Sequence, residues 1–244
     1  MRTLLSLFLG LALTTSVFAD ADATFARANA DYAAGKFSEA IKGYESLVAT
    51  RQWDPSLFYN LGNAYFRGDD FGHSILNYER ALALDPGQAE ARANLQLARD
   101  RGRALELSPT WAEQRLDFLT PNQYAWLAAF AFWGAAAILC GLYFARRRTV
   151  VWIFALILFG IIALGAGFTI YQLENGTAGP DLAIVTGKNI QARVATAESA
   201  GSVLALPAGS EIKILGTRGG WSFAQLPNDL QGWIPENGAE RVRL

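Results

Sequence analysis

A helical pattern that returns with a constant 34-residue offset constrains the fold of this chain more than any other feature. The positions that recur at this offset are Phe37/Phe71, Ala40/Ser74, Ile41/Ile75, Tyr44/Tyr78 and Glu45/Glu79. A period of this length, with apolar residues at helical spacing, predicts pairs of helices that stack on one another. Stacked helix pairs leave a concave face that holds another protein. An ordinary helical hairpin with a chance match is the alternative.

The second copy of the pattern is the clearer one. It carries Phe58, Leu61, Gly62 and Tyr65 in its first helix, and Pro86 ends it. This spacing resembles a tetratricopeptide repeat (TPR), in which the glycine lets the second helix approach and the proline stops it. The first copy is less regular, and residues 92–99 resemble a capping helix. We expect a TPR α-solenoid of two repeats and a cap over residues 20–104.

The concave face of such a solenoid is formed by first-helix side chains. The helical register places the following residues there: Phe25, Asn29, Tyr32, Tyr59, Asn60, Asn63, Phe66 and Arg67. Alternating aromatic rings and amides suit an extended or helical peptide, held by stacking and by hydrogen bonds to its backbone. The alternative is that Tyr59 and Phe66 only complete the packing of their own repeat.

Some TPR proteins capture a C-terminal carboxylate with asparagines and cations. Asn29 and Asn60 match that arrangement, but Phe25, Glu90 and Asn94 occupy the positions of the cations. We therefore expect the ligand to be an internal segment of a membrane partner and not a free C-terminus.

Two long stretches without charge indicate a membrane hairpin. Residues 124–145 and 149–171 each suffice to cross a bilayer core of about 30 Å. Arg146, Arg147 and Arg148 lie between them, and such a short basic turn stays in the cytoplasm. A buried core hairpin is the alternative. Residues 105–123 are expected to form a tether, either an interfacial helix or a solvated linker, and residues 172–181 a second linker.

Residues 1–19 resemble a secretory signal. Arg2 precedes an apolar stretch, and Val17 and Ala19 stand before Asp20. An uncleaved anchor is the alternative. Export of the N-terminus and a cytoplasmic basic turn predict a bacterial inner-membrane protein with two spans and both soluble domains in the periplasm.

Residues 182–244 contain short strand-like runs separated by turn residues. Their sequence resembles a bacterial SH3 domain at residues 189–193, at residues 208–212, at Trp221 and at residues 232–234. The resemblance implies a small SH3-like β-barrel that binds peptides or cell-wall material, with Trp221 and Trp233 as candidate contacts. The alternative is that one or both tryptophans belong to the core. The predicted fold is thus multidomain: α-solenoid, membrane hairpin and β-barrel.

The sequence contains no pattern of a catalytic or metal site. His73 is the only histidine and Cys140 the only cysteine. One residue of each type is too few for a typical zinc site, and the two are not expected to form a nucleophile–base pair. Lys and Arg number 21 and Asp and Glu 22, so composition shows no electrostatic footprint for nucleic acid. We expect a non-enzymatic protein without cofactor, metal or nucleic-acid partner.

The order of segments, together with residues 59–66, 77–82 and 91–95, resembles the BatE family of the Bacteroides aerotolerance operons. The resemblance implies an inner-membrane scaffold that works in tolerance of oxygen or envelope stress. It also implies membrane partners with von Willebrand A domains and, indirectly, a cytoplasmic MoxR-type ATPase. The alternative is a cell-wall-binding module whose TPR segment recruits a peptidoglycan hydrolase. An envelope enzyme with an unrecognised site is a third possibility.

Overall fold

A computed structural model describes residues 21–116, 118–144, 150–177 and 179–244 of the chain. The predicted secretory signal (residues 1–19) and the predicted basic turn (146–148) lie outside the described residues. The chain divides into two units. One comprises the chain up to Leu107 together with Asp181–Leu244, and the other comprises Ser108–Pro180.

Five helices form the N-terminal part of the first unit. They are α1 (residues 21–33), α2 (Phe37–Ala49), α3 (Pro55–Arg67), α4 (Phe71–Leu84) and α5 (Ala89–Gly102). Asp54 caps α3 by accepting a 2.8 Å hydrogen bond from the backbone N–H of Ser56, and Pro55 fits the first helical position. The helix pairs α1/α2 and α3/α4 are the two units that the repeated pattern predicts.

Small residues permit the close approach of the helices within each pair. A Cβ atom added at Gly62 in α3 would lie 2.8 Å from ring atoms of Tyr78 in α4. In the first pair, Ala28 takes the place of Gly62, and Gly43 stands opposite it. A Cβ added at Gly43 would lie 2.9 Å from the Ala28 side chain. Both crossings therefore need a residue without a side chain, but they place it on different helices.

Seven strands form the C-terminal part of the first unit. They are β1 (Leu182–Val185), β2 (Ile190–Arg193), β3 (Ser202–Leu206), β4 (Glu211–Arg218), β5 (Trp221–Gln225), β6 (Gln231–Pro235) and β7 (Ala239–Arg241). They pair antiparallel in the order β3-β2-β6-β5-β4-β1-β7. Since β3 and β7 end this order without pairing to each other among the described residues, the sheet is open. An antiparallel C-terminal sheet is thus present, and closure into an SH3-like barrel is not confirmed.

The helices and the sheet share a hydrophobic core. Leu76 of α4 and Leu95 of α5 belong to the same buried cluster as Leu182 and Ile184 of β1 and Val242 at the C-terminus. The turn between β3 and β4 also meets the helical part, since the backbone N–H of Glu211 donates a 2.8 Å hydrogen bond to the carbonyl of Leu105. The first unit is therefore one body in which the sheet packs on the last helices.

The second unit is a helical hairpin. It contains α6 (Trp111–Leu116), α7 (Pro121–Phe144) and α8 (Val150–Glu174). The last two are long and apolar enough to cross a membrane, with mean hydropathies of 1.9 and 2.6. Gly134 of α7 faces the ring of Phe159 in α8. Most of their large apolar side chains are exposed, which is the distribution expected of a surface that meets lipid.

Candidate functional site

An asparagine in the first helix of each pair accepts a hydrogen bond from a tyrosine in the second helix. The Tyr44 hydroxyl donates to Asn29 Oδ1 at 2.6 Å, and the Tyr78 hydroxyl donates to Asn63 Oδ1 at 2.7 Å. Both members of the pair recur at the 34-residue offset of the repeat. The repeat thus reproduces a polar contact between its two helices as well as an apolar core.

A second donor completes each contact from the next first helix. Asn60 Nδ2 donates to Asn29 Oδ1 at 3.1 Å, and Asn94 Nδ2 donates to Asn63 Oδ1 at 3.0 Å. Each accepting oxygen therefore has both lone pairs engaged. Within the described part of the chain, the Nδ2 groups of Asn29 and Asn63 have no protein acceptor, so their amide hydrogens remain unused.

The tyrosine hydroxyls in these contacts stay protonated at neutral pH. Burial raises the pKa of Tyr44 to about 12, and burial also raises the pKa of Tyr78. Because a protonated hydroxyl here donates to an amide oxygen, the polarity of the two networks does not change over the physiological pH range. The amide groups of Asn29 and Asn63 therefore keep the same orientation over that range.

The predicted residue Arg67 is held by aromatic rings. Its guanidinium carbon lies 5.1 Å from the centroid of the Phe37 ring, a cation–π distance. Tyr32 packs edge-on against Phe37, with 5.5 Å between the ring centroids. These three residues bring the end of α1, the start of α2 and the end of α3 together at one side of the helical stack.

A cavity of about 140 Å³ is lined both by the Asn63–Tyr78 contact and by Arg67. It is lined by Tyr32, Asn63, Phe66, Arg67, Tyr78, Asn94 and Leu97. We call these seven residues the groove pocket. Four of them belong to the set predicted from the sequence. Tyr78, Asn94 and Leu97 were not among the predicted site residues; Tyr78 entered the sequence analysis only as the repeat of Tyr44.

The other predicted groove residues occupy different places. Phe25 lines a separate cavity of about 460 Å³ near the start of α1 and packs on Tyr44. Tyr59 packs on Tyr78 with ring centroids 6.1 Å apart, and its hydroxyl oxygen lies 3.3 Å from Asn94 Nδ2. Asn29 and Asn60 bond to each other as described. Tyr59 and Phe66 thus contribute to packing within the solenoid, as the alternative interpretation holds, while Phe66 also reaches the groove pocket.

The candidate tryptophans of the sheet are half-buried. Trp233 of β6 packs on Phe223 of β5, with ring centroids 5.1 Å apart, and Arg193 of β2 is its neighbour on the other side. Trp221 lies opposite Pro235 on the same two strands. The predicted turn at residues 208–212 instead meets the helical part, where Ser210 Oγ accepts a 3.1 Å hydrogen bond from the Leu105 backbone.

A buried charge cluster joins the helices to the sheet. Arg99 of α5 contacts Glu79 of α4 at 2.6 Å, Glu106 at 3.3 Å and Glu211 of β4. Burial raises the pKa of Glu79 to about 7, although Arg99 opposes this shift, and burial also raises the pKa of Glu211. The described residues contain no group of His, Cys, Asp and Glu suited to a metal ion.

His73, the only histidine of the chain, belongs to the same interface between helices and sheet. Its Nδ1 lies 2.9 Å from Asp70 Oδ2, and its Nε2 lies 3.7 Å from Glu240 Oε1 of β7. Tyr65 stacks on the imidazole at 4.9 Å. The side-chain hydrogen bond with Asp70 raises the pKa of His73, and burial opposes the shift. The partners around this histidine are those of an interface ion pair.

Comparison with protein families supports the helical part. A model described as "TPR repeat" matches residues 28–69, and a model described as "Tetratricopeptide repeat" matches residues 55–88. No curated protein is significantly similar to the chain. The chain therefore contains TPR repeats, an interaction fold without catalytic function of its own, and these repeats support a role in protein–protein interaction.

Proposed function

We propose that the chain is a non-enzymatic scaffold that holds a segment of another membrane protein in its TPR groove. The observation that carries this proposal is the repeated asparagine–tyrosine contact. It engages the amide oxygens of Asn29 and Asn63 and leaves their amide hydrogens without a protein acceptor, with aromatic rings beside them. An extended peptide segment supplies the carbonyl acceptors and side chains that such a surface needs. The ligand is an internal segment, because the cations of a carboxylate clamp are absent from positions 25, 90 and 94.

The scaffold is proposed to be anchored in the bacterial inner membrane. Two apolar helices of 24 and 25 residues support this placement. The positive-inside rule applied to residues 146–148 puts the connection in the cytoplasm, so the groove and the C-terminal sheet both face the periplasm. In this proposal the sheet is a variant of the SH3-like domain that the sequence resembles.

The resemblance to the BatE family suggests the assembly in which the scaffold works. We propose partners with von Willebrand A domains in the same membrane, an indirect link to a MoxR-type ATPase, and a role in tolerance of oxygen or envelope stress. The TPR repeats support protein partners as a class, and the identity of these partners rests on the resemblance alone.

A second candidate function is binding of cell-wall material by the sheet. The half-buried pair Phe223–Trp233 favours it, because an accessible aromatic surface beside Arg193 suits stacking and hydrogen bonding to a polymer. In that case the TPR groove recruits a peptidoglycan hydrolase. Sedimentation of the full chain with purified cell wall, lost in a Trp233→Ala variant, would select this function.

The scaffold proposal is tested by affinity capture of the full chain from detergent-solubilised membranes. The variant Tyr59→Ala/Asn63→Ala/Arg67→Ala removes three groove contacts, and Glu39→Ala/Lys42→Ala on the exposed side of α2 is the matched control. We expect proteins with von Willebrand A domains to co-purify with the wild type and the control and to be lost from the groove variant. The circular dichroism spectra of all three proteins should agree. A folded groove variant that retains its partner would place the interface elsewhere.

A further inference from the structure

The groove pocket has the size of one side chain. Its volume of about 140 Å³ is well below the roughly 300–1,000 Å³ of sites for small molecules or cofactors. Its apolar part consists of Phe66 and Leu97, and the remaining five lining residues carry amide, hydroxyl or guanidinium groups. This size fits a single ligand side chain inserted from an extended peptide.

The polar part of the groove pocket is rich in donors. Asn63 Oδ1 already accepts from Tyr78 and Asn94, so this asparagine offers its amide hydrogens to a ligand. Arg67 contributes only donors. None of the seven lining residues carries a carboxylate. A ligand group that supplies hydrogen-bond acceptors therefore suits the pocket best.

Arg67 is the cation of the groove pocket, and its charge is not neutralised. Within the described residues it forms no salt bridge, whereas Arg80, Arg99 and Arg241 each pair with a carboxylate. The Phe37 ring holds its guanidinium in position, and Tyr32 supports that ring. A pre-positioned, solvent-accessible guanidinium binds a carboxylate in a bidentate manner with little further loss of side-chain freedom.

We propose that the groove selects an extended peptide segment with an internal aspartate or glutamate, whose carboxylate binds Arg67 beside the amide of Asn63. The methylene groups of that same acidic side chain contact Phe66 and Leu97. This inference rests on the proposed function and adds a specificity to it. Arg67 lies outside the positions of the C-terminal carboxylate clamp considered above, so the recognised group is a side-chain carboxylate.

The test uses the full chain in detergent and a displayed library of random nonapeptides whose C-termini are fused to the carrier. Four proteins are compared: the wild type, Arg67→Glu, Arg67→Lys and Lys42→Glu. The last variant makes the same charge change on the exposed side of α2. Circular dichroism and thermal unfolding verify that each variant is folded.

We expect the wild type and Lys42→Glu to enrich peptides with an acidic residue at one position. Replacing that residue by its amide should weaken binding about tenfold, the effect of losing one charge-assisted contact. Arg67→Glu should lose the acidic preference, and Arg67→Lys should keep it at lower affinity. Peptides enriched without a charge preference, or a preference unchanged in Arg67→Glu, would overturn this inference and leave the groove function standing. If the wild type enriches no peptide above a detergent blank, both proposals are wrong.

Discussion

The Tyr78 hydroxyl donates a 2.7 Å hydrogen bond to Asn63 Oδ1, and this contact links the two helices of the second pair, α4 and α3. Tyr44 and Asn29 form the same contact one repeat earlier. The polar contact between the two helices of a pair therefore recurs at the 34-residue interval of the repeat. Arg67, whose guanidinium lies over the Phe37 ring, lines the same pocket as Asn63 and adds a positive charge to it.

The crossing of α3 and α4 depends on Gly62. A leucine there would clash with the Tyr78 ring, since even its Cβ would lie 2.8 Å away. We expect Gly62→Leu to lower the free energy of unfolding by about 1–3 kcal/mol. Gly68→Leu is the matched control, because Gly68 is exposed at the end of α3 with a φ of −90° that leucine tolerates. Urea unfolding of the full chain in detergent measures both, and equal midpoints would show that Gly62 is not at a tight contact.

The full chain is needed for this measurement because the helices share their core with the sheet. A fragment ending at residue 108 would expose Leu76 and Leu95, which pack with Leu182, Ile184 and Val242.

Arg99 is expected to hold the helices and the sheet together. Arg99→Met leaves Glu79 and Glu211 buried beside each other without a cation, and loss of one partner of a buried ion pair costs about 3–5 kcal/mol. Arg101→Met in the same helix is the control, since Arg101 is exposed. Adding Glu211→Gln to Arg99→Met should restore part of the stability. Equal unfolding midpoints for the two arginine variants would contradict this role of Arg99.

The His73 imidazole is expected to titrate above its ordinary pKa of 6.5. Asp70 and, from β7, Glu240 favour its charged form, with Glu45 and Tyr65 nearby. A raised folded-state pKa stabilises the protein fully below about pH 6.5, and this contribution is lost as pH rises through the folded-state pKa.

Because the chain has one histidine, a single NMR signal of labelled histidine reports this pKa. Asp70→Asn should lower it, whereas Asp69→Asn, one residue earlier and exposed, should leave it nearly unchanged. An Asp70→Asn protein with the wild-type titration midpoint would show that the carboxylate does not control His73.

The membrane topology predicts the activity of periplasm-dependent reporter fusions. A reporter should be active after Ser108, inactive after Thr149 and active after Pro180, because two spans enclose one cytoplasmic turn. Activity after Thr149 would exclude this topology, and a chain that leaves the membrane fraction on alkaline extraction would exclude the spans.

The helical parts of the fold were predictable from local sequence, and the contacts between distant segments were not. The 34-residue offset predicted both helix pairs, and two uncharged stretches predicted α7 and α8. The buried cluster that contains both Leu76 and Leu182 has no local signature, because it joins residues far apart in the chain. The short strand β7 was likewise not predicted, since so short a strand carries too little periodicity.

Prediction of the site was limited in a similar way. Register along single helices predicted Asn63 and Arg67 as groove residues, and both line the same pocket. It did not identify Tyr78 as their neighbour, because an aromatic in the second helix is usually core. The first repeat has Ala28 at the position of Gly62, which makes its pattern less regular. In the structure, Gly43 on the opposite helix allows the close approach that Gly62 allows in the second repeat. Pairwise complementarity of this kind is visible only in three dimensions.

Site-specific photocrosslinking in living cells tests the central claim, that the concave groove holds a partner. Leu97 is a suitable site for a photoreactive phenylalanine, since it lines the groove pocket, is 44% exposed and takes no part in the polar network. Lys42, exposed on α2, is the matched site outside the groove. We predict a covalent adduct with a membrane protein from position 97, none from position 42, and loss of the adduct at position 97 when Arg67→Glu is added. No adduct from position 97, or an adduct from position 42 alone, would contradict the central claim. An adduct at position 97 that persists at full strength with Arg67→Glu would contradict only the proposed role of Arg67.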